Sequence, residues 1–155
     1  MKTLVAFYSR TGTTKKVAEK IAEILVCNLE EIFDIKDRSG AYGYLTAGRD
    51  ATLRKLTTLQ PLENNPADYE LVIIGTPIWS WNVSTPIRTY LENNKSKFRQ
   101  VAFFCTMGGS GGQRAFSEME KIINIKPVAT LELQTKEVVK NEYEKKLKEF
   151  IEKLS

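Results

Sequence analysis

Apolar and polar positions along this chain follow two different periods, and the switches between them predict its elements. Residues 3–8, Thr3-Leu4-Val5-Ala6-Phe7-Tyr8, are a short apolar run that reads as a strand. From about 13 to 26, Val17, Ile21, Ile24 and Leu25 recur at i, i+4, i+7 and i+8, the stripe of an amphipathic helix. Leu29 to Phe33 is a more polar strand, suited to a sheet edge. Residues 36–66 carry the weakest pattern: Gly40-Ala41-Tyr42-Gly43-Tyr44 reads as a loop, and Leu45 to Leu59 as a helix broken by Pro61. Leu71-Val72-Ile73-Ile74 is apolar at every position, as in a central parallel strand covered on both faces. Ser84-Thr85-Pro86 supplies an N-cap and a first-turn proline for a helix that stops at Asn93-Asn94. A strand over about 101–105 follows, then a helix over about 112–123 with Phe116, Met119 and Ile123 on one face. An alternating edge strand from Val128 to Leu133 and a last helix burying Tyr143, Leu147, Phe150, Ile151 and Leu154 complete the series.

Five strands alternating with helices specify an α/β protein, a doubly wound five-stranded parallel sheet with right-handed crossovers. The 155 residues make one domain, 1–155, long enough to bury about two-thirds of its unfolded surface. No apolar run approaches the roughly 20 residues that span a bilayer, so no membrane span is expected. A single lysine precedes the first strand, which is not the layout of a signal peptide, and cytoplasmic residence is the expectation.

Three loops carry the candidate chemistry. Ser9-Arg10-Thr11-Gly12-Thr13-Thr14 joins the first strand to the first helix. Hydroxyls and the unpaired N–H groups of a helix N-terminus meet there, and both favour an anion such as a phosphate. An ordinary Ser/Thr N-cap accounts for the same residues. Thr76-Pro77-Ile78-Trp79-Ser80 follows the strand at 71–74, and Thr106-Met107-Gly108-Gly109-Ser110-Gly111-Gly112 follows the strand at 101–105. All three leave the C-terminal ends of predicted strands, where an open parallel sheet forms its ligand crevice. A flat aromatic ligand carrying a phosphate explains the three together.

At these residues the chain resembles the flavodoxin family, over essentially its whole length. Ser9 to Thr14 matches the family's Ser/Thr-x-Thr-Gly-x-Thr loop, and Gly75-Thr76-Pro77-Ile78-Trp79 matches its isoalloxazine loop. The resemblance implies strand order 2-1-3-4-5 and FMN as cofactor. It implies that Ser9, Arg10, Thr11, Gly12, Thr13 and Thr14 surround the phosphate, with Arg10 at the variable position. Thr76, Pro77, Ile78, Trp79 and Ser80 would flank the ring, with Trp79 beside the isoalloxazine. Thr106, Met107, Gly108, Gly109 and Gly111 would bring backbone to its pyrimidine edge. Tyr42 and Tyr44 lie in a segment that would fold over the site. Two features depart from the shuttle flavodoxins: Pro77 to Val83 lacks the glycine at which a peptide flips toward the ring, and the net charge is +4 rather than strongly acidic. A flip at Asn82 stays open, because asparagine tolerates positive φ.

Histidine is absent, which removes several chemistries. Gly108-Gly109-Ser110-Gly111-Gly112 formally matches the G-x-S-x-G nucleophile elbow, but a serine hydrolase has no base here. Cys27 and Cys105 form no metal or redox motif, so two free thiols are expected, no metal ligand is assigned and Cys105 packs as a small hydrophobe. The excess lysines and arginines, among them Arg38 and Arg88, lie on or beside helices and read as solvated surface; nucleic-acid binding is not expected. Two functions follow from the resemblance. One is FMN-dependent electron transfer to a redox partner protein. The other is an FMN-dependent NAD(P)H oxidoreductase passing electrons to a quinone or similar small-molecule acceptor. No catalytic residue is assigned to either.

Overall fold

Five parallel strands and one short antiparallel strand build the sheet of the computed structural model, which describes residues 1–155. The elements run β1 (Thr3–Phe7), α1 (Thr13–Leu25), β2 (Asn28–Glu31), α2 (Gly40–Thr52), β3 (Leu71–Trp79), β4 (Asn82–Val83), α3 (Thr85–Asn94), β5 (Gln100–Met107), α4 (Gly112–Ile123), β6 (Thr130–Gln134), α5 (Thr135–Val139) and α6 (Glu144–Glu152). The parallel order is β2-β1-β3-β5-β6, with β4 paired to the end of β3. That is the flavodoxin-like order with one two-residue strand added. No helix is long and apolar enough to cross a membrane.

Burial follows from the apolar runs. Leu4 to Phe7, Leu71 to Ile74 and Val101 to Cys105 are almost completely buried, because helices cover both faces of the central strands. The two-residue period sends Val5, Phe7, Ile73 and Phe104 to the α1 and α6 face. It sends Ala6, Ile74, Phe103 and Cys105 to the α2, α3 and α4 face. Cys105 is buried as expected, and burial pushes its thiol up to about 12. Register levels the functional ends: Phe7 pairs with Gly75, and Gly75 with Phe104. Gly75 is required here, since a Cβ would sit 2.0 Å from Phe104 Cζ.

Four details differ from the sequence expectations. Ile24 is exposed, so the buried stripe of α1 is Val17, Ala18, Ile21 and Ala22. The segment Gly40–Tyr44 is helical, and α2 ends at Thr52 instead of Leu59. Gly43 allows this, because a Cβ there would lie 2.1 Å from the Arg38 carbonyl group. A short helix, α5, precedes the last one, closed by a capping box between Gln134 and Glu137. Arg38 and Arg88 are buried at 2% and 5% exposure, so they are structural charges and not solvated surface.

Candidate functional site

The chain turns one way from β1 to β2 and the other way to β3, so a crevice opens at the C-terminal ends of β1 and β3. The loop from Ser9 to Thr14 lies at one end of it. Gly12 takes φ 99°, which only glycine adopts without strain, and its N–H donates to Ser9 Oγ at 3.0 Å. No side chain caps α1 and its first turn holds no acidic residue. The N–H groups of Arg10, Thr11, Thr13 and Thr14 reach no acceptor in the protein. These bare amides and the helix dipole suit a dianion. Thr11 is exposed, and Ser9, Arg10 and Thr13 are half-buried. Thr14 differs: its hydroxyl is buried 2.8 Å from Thr106 Oγ1, tying α1 to the end of β5. Its backbone alone remains for a ligand.

The opposite helix terminus makes a useful contrast. α4 also starts at a left-handed glycine, Gly111, with φ 108°. The Glu132 carboxylate packs against that terminus: a Cβ on Gly112 would meet its Oε1 at 2.2 Å. Gln113 Nε2 donates to Glu132 Oε2 at 2.8 Å and holds it there. Glu132 brings a negative charge beside the α4 terminus without accepting from its amides, whereas the first turn of α1 holds no carboxylate.

Between them lies the glycine loop. Thr135 Oγ1 donates to the Met107 carbonyl and Gln134 Nε2 to the Gly109 carbonyl, both at 3.3 Å, so the loop is held through its oxygens. The N–H groups of Gly108, Gly109, Ser110 and Gly111 have no acceptor in the protein. A Cβ on Gly108 or Gly109 would meet nothing within 4 Å, so packing within the chain does not require glycine at either. Bare donors on a backbone almost without side chains suit the carbonyl edge of a planar ring. Thr106 is buried and Met107 half-buried at the start of this loop.

The tryptophan loop is a hairpin. Ile78 pairs with Val83 and Trp79 with Asn82, leaving Ser80 and Trp81 as the two corner residues, at φ 50° and 60°. A two-residue turn of this kind needs positive φ at both positions and usually recruits Asn-Gly. Asn82 is instead fixed in β4, where its Oδ1 accepts from Val83 N–H at 3.0 Å and Arg88 Nη2 at 3.1 Å. Arg88 Nη1 also donates to Glu118 at 3.2 Å, so one buried guanidinium clamps the hairpin to α3 and α4. The position for a backbone flip is thus the corner at Ser80-Trp81 and not Asn82. Positive φ costs a non-glycine residue of order 1–3 kcal/mol. Trp81→Gly is therefore expected to raise unfolding stability by about 1 kcal/mol in urea titrations, because the indole it removes is 58% exposed. A loss of stability would show that the indole contact outweighs the strain.

The two indoles differ in burial. Trp79 is 7% exposed and belongs to the core, edge-on to Tyr8 at 5.5 Å between ring centroids and 5.3 Å beneath the Arg38 guanidinium. Trp81 is exposed, leans on Gly111 and donates from Nε1 to Ser110 Oγ at 3.1 Å. The ring at the surface beside the glycine loop is Trp81. Thr76 is buried, and its hydroxyl accepts from Ser84 N–H at 3.1 Å, fixing the start of α3. Pro77 and Ile78 are half-exposed, and Ser80 Oγ donates to the Gly48 carbonyl at 3.1 Å. Tyr42 and Tyr44 sit on α2, not on a covering loop, and Arg10 lies 5.4 Å from the Tyr44 ring centroid.

A buried charge cluster supports this architecture, and the sequence reading missed it. Arg38 Nε donates to Asp34, and Nη1 lies 3.0 Å from Asp50 Oδ2. Asp34 also accepts from Thr57 Oγ1 at 2.8 Å and from Lys36 N–H at 3.0 Å. The cluster thus fastens the segment before α2 over the Trp79 ring. Tyr8 stays protonated at neutral pH, pushed up to about 12 by burial and by the Asp34 charge.

Fold and loops together define a flavodoxin-like α/β domain with two sets of bare backbone amides at its switch point. A flavodoxin family model matches residues 2–154, and the chain belongs to that family. Among solved structures it is similar to a flavoprotein of Lactobacillus acidophilus NCFM in complex with FMN. That likeness has 31% identity and a TM-score of 0.73, over 90% of this chain and 97% of the other. A candidate flavoprotein of Bacteroides uniformis ATCC 8492 is 24% identical, with a TM-score of 0.77 over 97% of each chain. Oxidised flavodoxin 1 of Bacillus cereus is 15% identical, with a TM-score of 0.57 over 99% of this chain and 97% of the other. The last two show the shared fold. No protein of curated function matches the chain.

Proposed function

We propose that the protein binds one FMN without a covalent bond and transfers electrons to a redox partner. The observation that carries this reading is a pair of bare donor sets at one crevice: the amides of the α1 N-terminus and those of the glycine loop, none of which reaches an acceptor in the protein. In this reading the amides of Arg10, Thr11, Thr13 and Thr14, with the Ser9, Thr11 and Thr13 hydroxyls, hold the phosphate. The amides of Gly108, Gly109 and Ser110 meet the ring carbonyls. Trp81 excludes water from one side. Bound FMN supplies the redox chemistry, taking up and releasing one or two electrons. The two free cysteines fit a cytoplasmic, reducing compartment.

A second reading is an NAD(P)H-dependent reductase of a small acceptor. The apolar cleft beside Ile78, Trp79 and Ser80 favours it, because a protein partner needs no such cleft. Calorimetric titration with FMN is expected to saturate at one equivalent. A thousandfold excess over the dissociation constant would add about 4 kcal/mol to unfolding stability. Stopped-flow mixing of the loaded protein with NADPH then separates the readings. Flavin that stays oxidised for minutes supports the carrier, and rapid bleaching supports the reductase. Failure to bind micromolar FMN would refute both.

A further inference from the structure

The α2 stripe facing the β3–β4 hairpin is built from pairs one turn apart: Tyr44 and Leu45, Gly48 and Arg49, Thr52 and Leu53. Ile78, Trp79 and Ser80 form the other wall, enclosing a cleft of about 420 Å³. Gly48 lets the hairpin close onto the middle of the helix: Ser80 Oγ donates to its carbonyl, and a Cβ there would meet that oxygen at 3.1 Å. Tyr44, Leu45 and Leu53 stay more than half exposed along the cleft on either side, so the chain's own side chains do not fill it. Neither the phosphate loop nor the glycine loop contributes to its lining. It shares only the wall at Ile78–Ser80 with the flavin site proposed above.

Charge distinguishes this cleft from a plain apolar groove. Arg49 lines it and is 56% exposed, paired to Asp50 Oδ1 at 3.3 Å. Asp50 is also paired with buried Arg38 and with Lys36, while Asp34 is taken up by Arg38. Three cations thus share two carboxylates, and the cation with its surface open to the cleft is Arg49. Arg10, over the Tyr44 ring, brings another positive charge to the rim. Volume, apolar walls and a few converging polar groups are those of a small-molecule site.

We infer that this cleft binds a flat aromatic anion, an aromatic carboxylate or sulfonate of two or three rings. Its body lies between the α2 stripe and the Ile78–Trp79 wall, and its acid group meets Arg49, with Thr52 as a further donor. Service as the seat of an electron acceptor rests on the flavin reading; the binding itself does not. The test uses the full chain, with and without FMN, and two probes of matched shape, 2-naphthoate and 2-naphthylmethanol. Naphthoate is expected to shift the amide resonances of Gly48, Arg49 and Ser80 without displacing FMN. Loss of a charge-assisted contact makes the alcohol about tenfold weaker, and Arg49→Gln abolishes that preference. Equal binding of the two probes would overturn the inference. So would shifts confined to the glycine loop, displacement of FMN, or no shift at millimolar naphthoate. Naphthoate binding without FMN binding would refute the flavin reading and keep this one. FMN binding without naphthoate does the reverse.

Discussion

Replacing Arg38 by methionine is expected to cost the fold about 3–5 kcal/mol, the usual penalty for breaking a buried ion pair by removing one partner. That is a large share of the roughly 5–15 kcal/mol that holds a domain of this size together. The side chains of Asp34 and Asp50 are both only 1% exposed and both face this one guanidinium. Without it Asp34 loses its only cation, while Asp50 keeps Lys36 and Arg49. A packing defect alone would give a different signature. Arg38→Met combined with Asp34→Asn and Asp50→Asn removes the charges together and should recover most of the loss. The pH dependence adds a second readout. Burial alone would raise the Asp50 carboxyl, but the hydrogen bond and charge of Arg38, with Lys36, outweigh it and hold the group below its ordinary 3.8. A carboxyl lowered in the folded state stabilises fully above its ordinary value and loses that contribution as pH falls through the lowered one. In Arg38→Met burial is no longer opposed by Arg38, so the carboxyl rises in the folded state. The deficit is then largest at neutral pH and narrows under acid. Urea titrations across that range check both points. A deficit that does not change with pH would mean that Arg38 acts by packing alone.

The contrast between this cluster and the loops explains which features the sequence carried. β1, β3 and β5 were legible because burial on both faces demands unbroken apolar runs, and that is a local signal. The turns at Ser9–Thr14 and Thr106–Gly112 were legible because glycines and hydroxyls cluster where a strand gives way to a helix. The start of α2 was hidden: Gly40 and Gly43 are poor helix formers, and Gly43 is there to let the helix reach the Arg38 backbone. The β3–β4 hairpin was hidden because its corner carries Ser80-Trp81 where a glycine would have announced it. Arg38 and Arg88 read as surface because a buried charge is recognised only by its partners. Glu118 lies thirty residues from Arg88, and Asp50 belongs to a helix whose start was missed. The same cause hid the difference in burial between the two indoles. Which of Trp79 and Trp81 faces the core depends on where the strand ends, and β3 runs five residues past the apolar stretch Leu71–Ile74.

FMN is expected to bind at least about a hundredfold more tightly than riboflavin, and Thr11→Glu should bring that ratio close to one. Each charge-assisted hydrogen bond contributes about 1.5–3 kcal/mol, so two of them amount to about 10²–10⁴ in affinity. Four amides in Ser9–Thr14 have no acceptor in the protein, so the phosphate need not displace an existing partner. Thr11 is exposed and its side chain makes no hydrogen bond, so glutamate fits there without disturbing the core. Its carboxylate reaches the first turn of α1, competes for the same amides and repels the phosphate. At a helix N-terminus it also adds about 0.3–1 kcal/mol to stability, so weak FMN binding cannot be blamed on unfolding. Riboflavin uses only the ring contacts at the hairpin and the glycine loop, and its affinity should stay within a factor of about two. Titration of both flavins against both proteins, with urea melts alongside, separates the contributions. Should Thr11→Glu weaken riboflavin as much as FMN, the loop shapes the ring site and is no phosphate seat. Should native protein fail to prefer FMN at all, the bare amides of α1 serve some other anion.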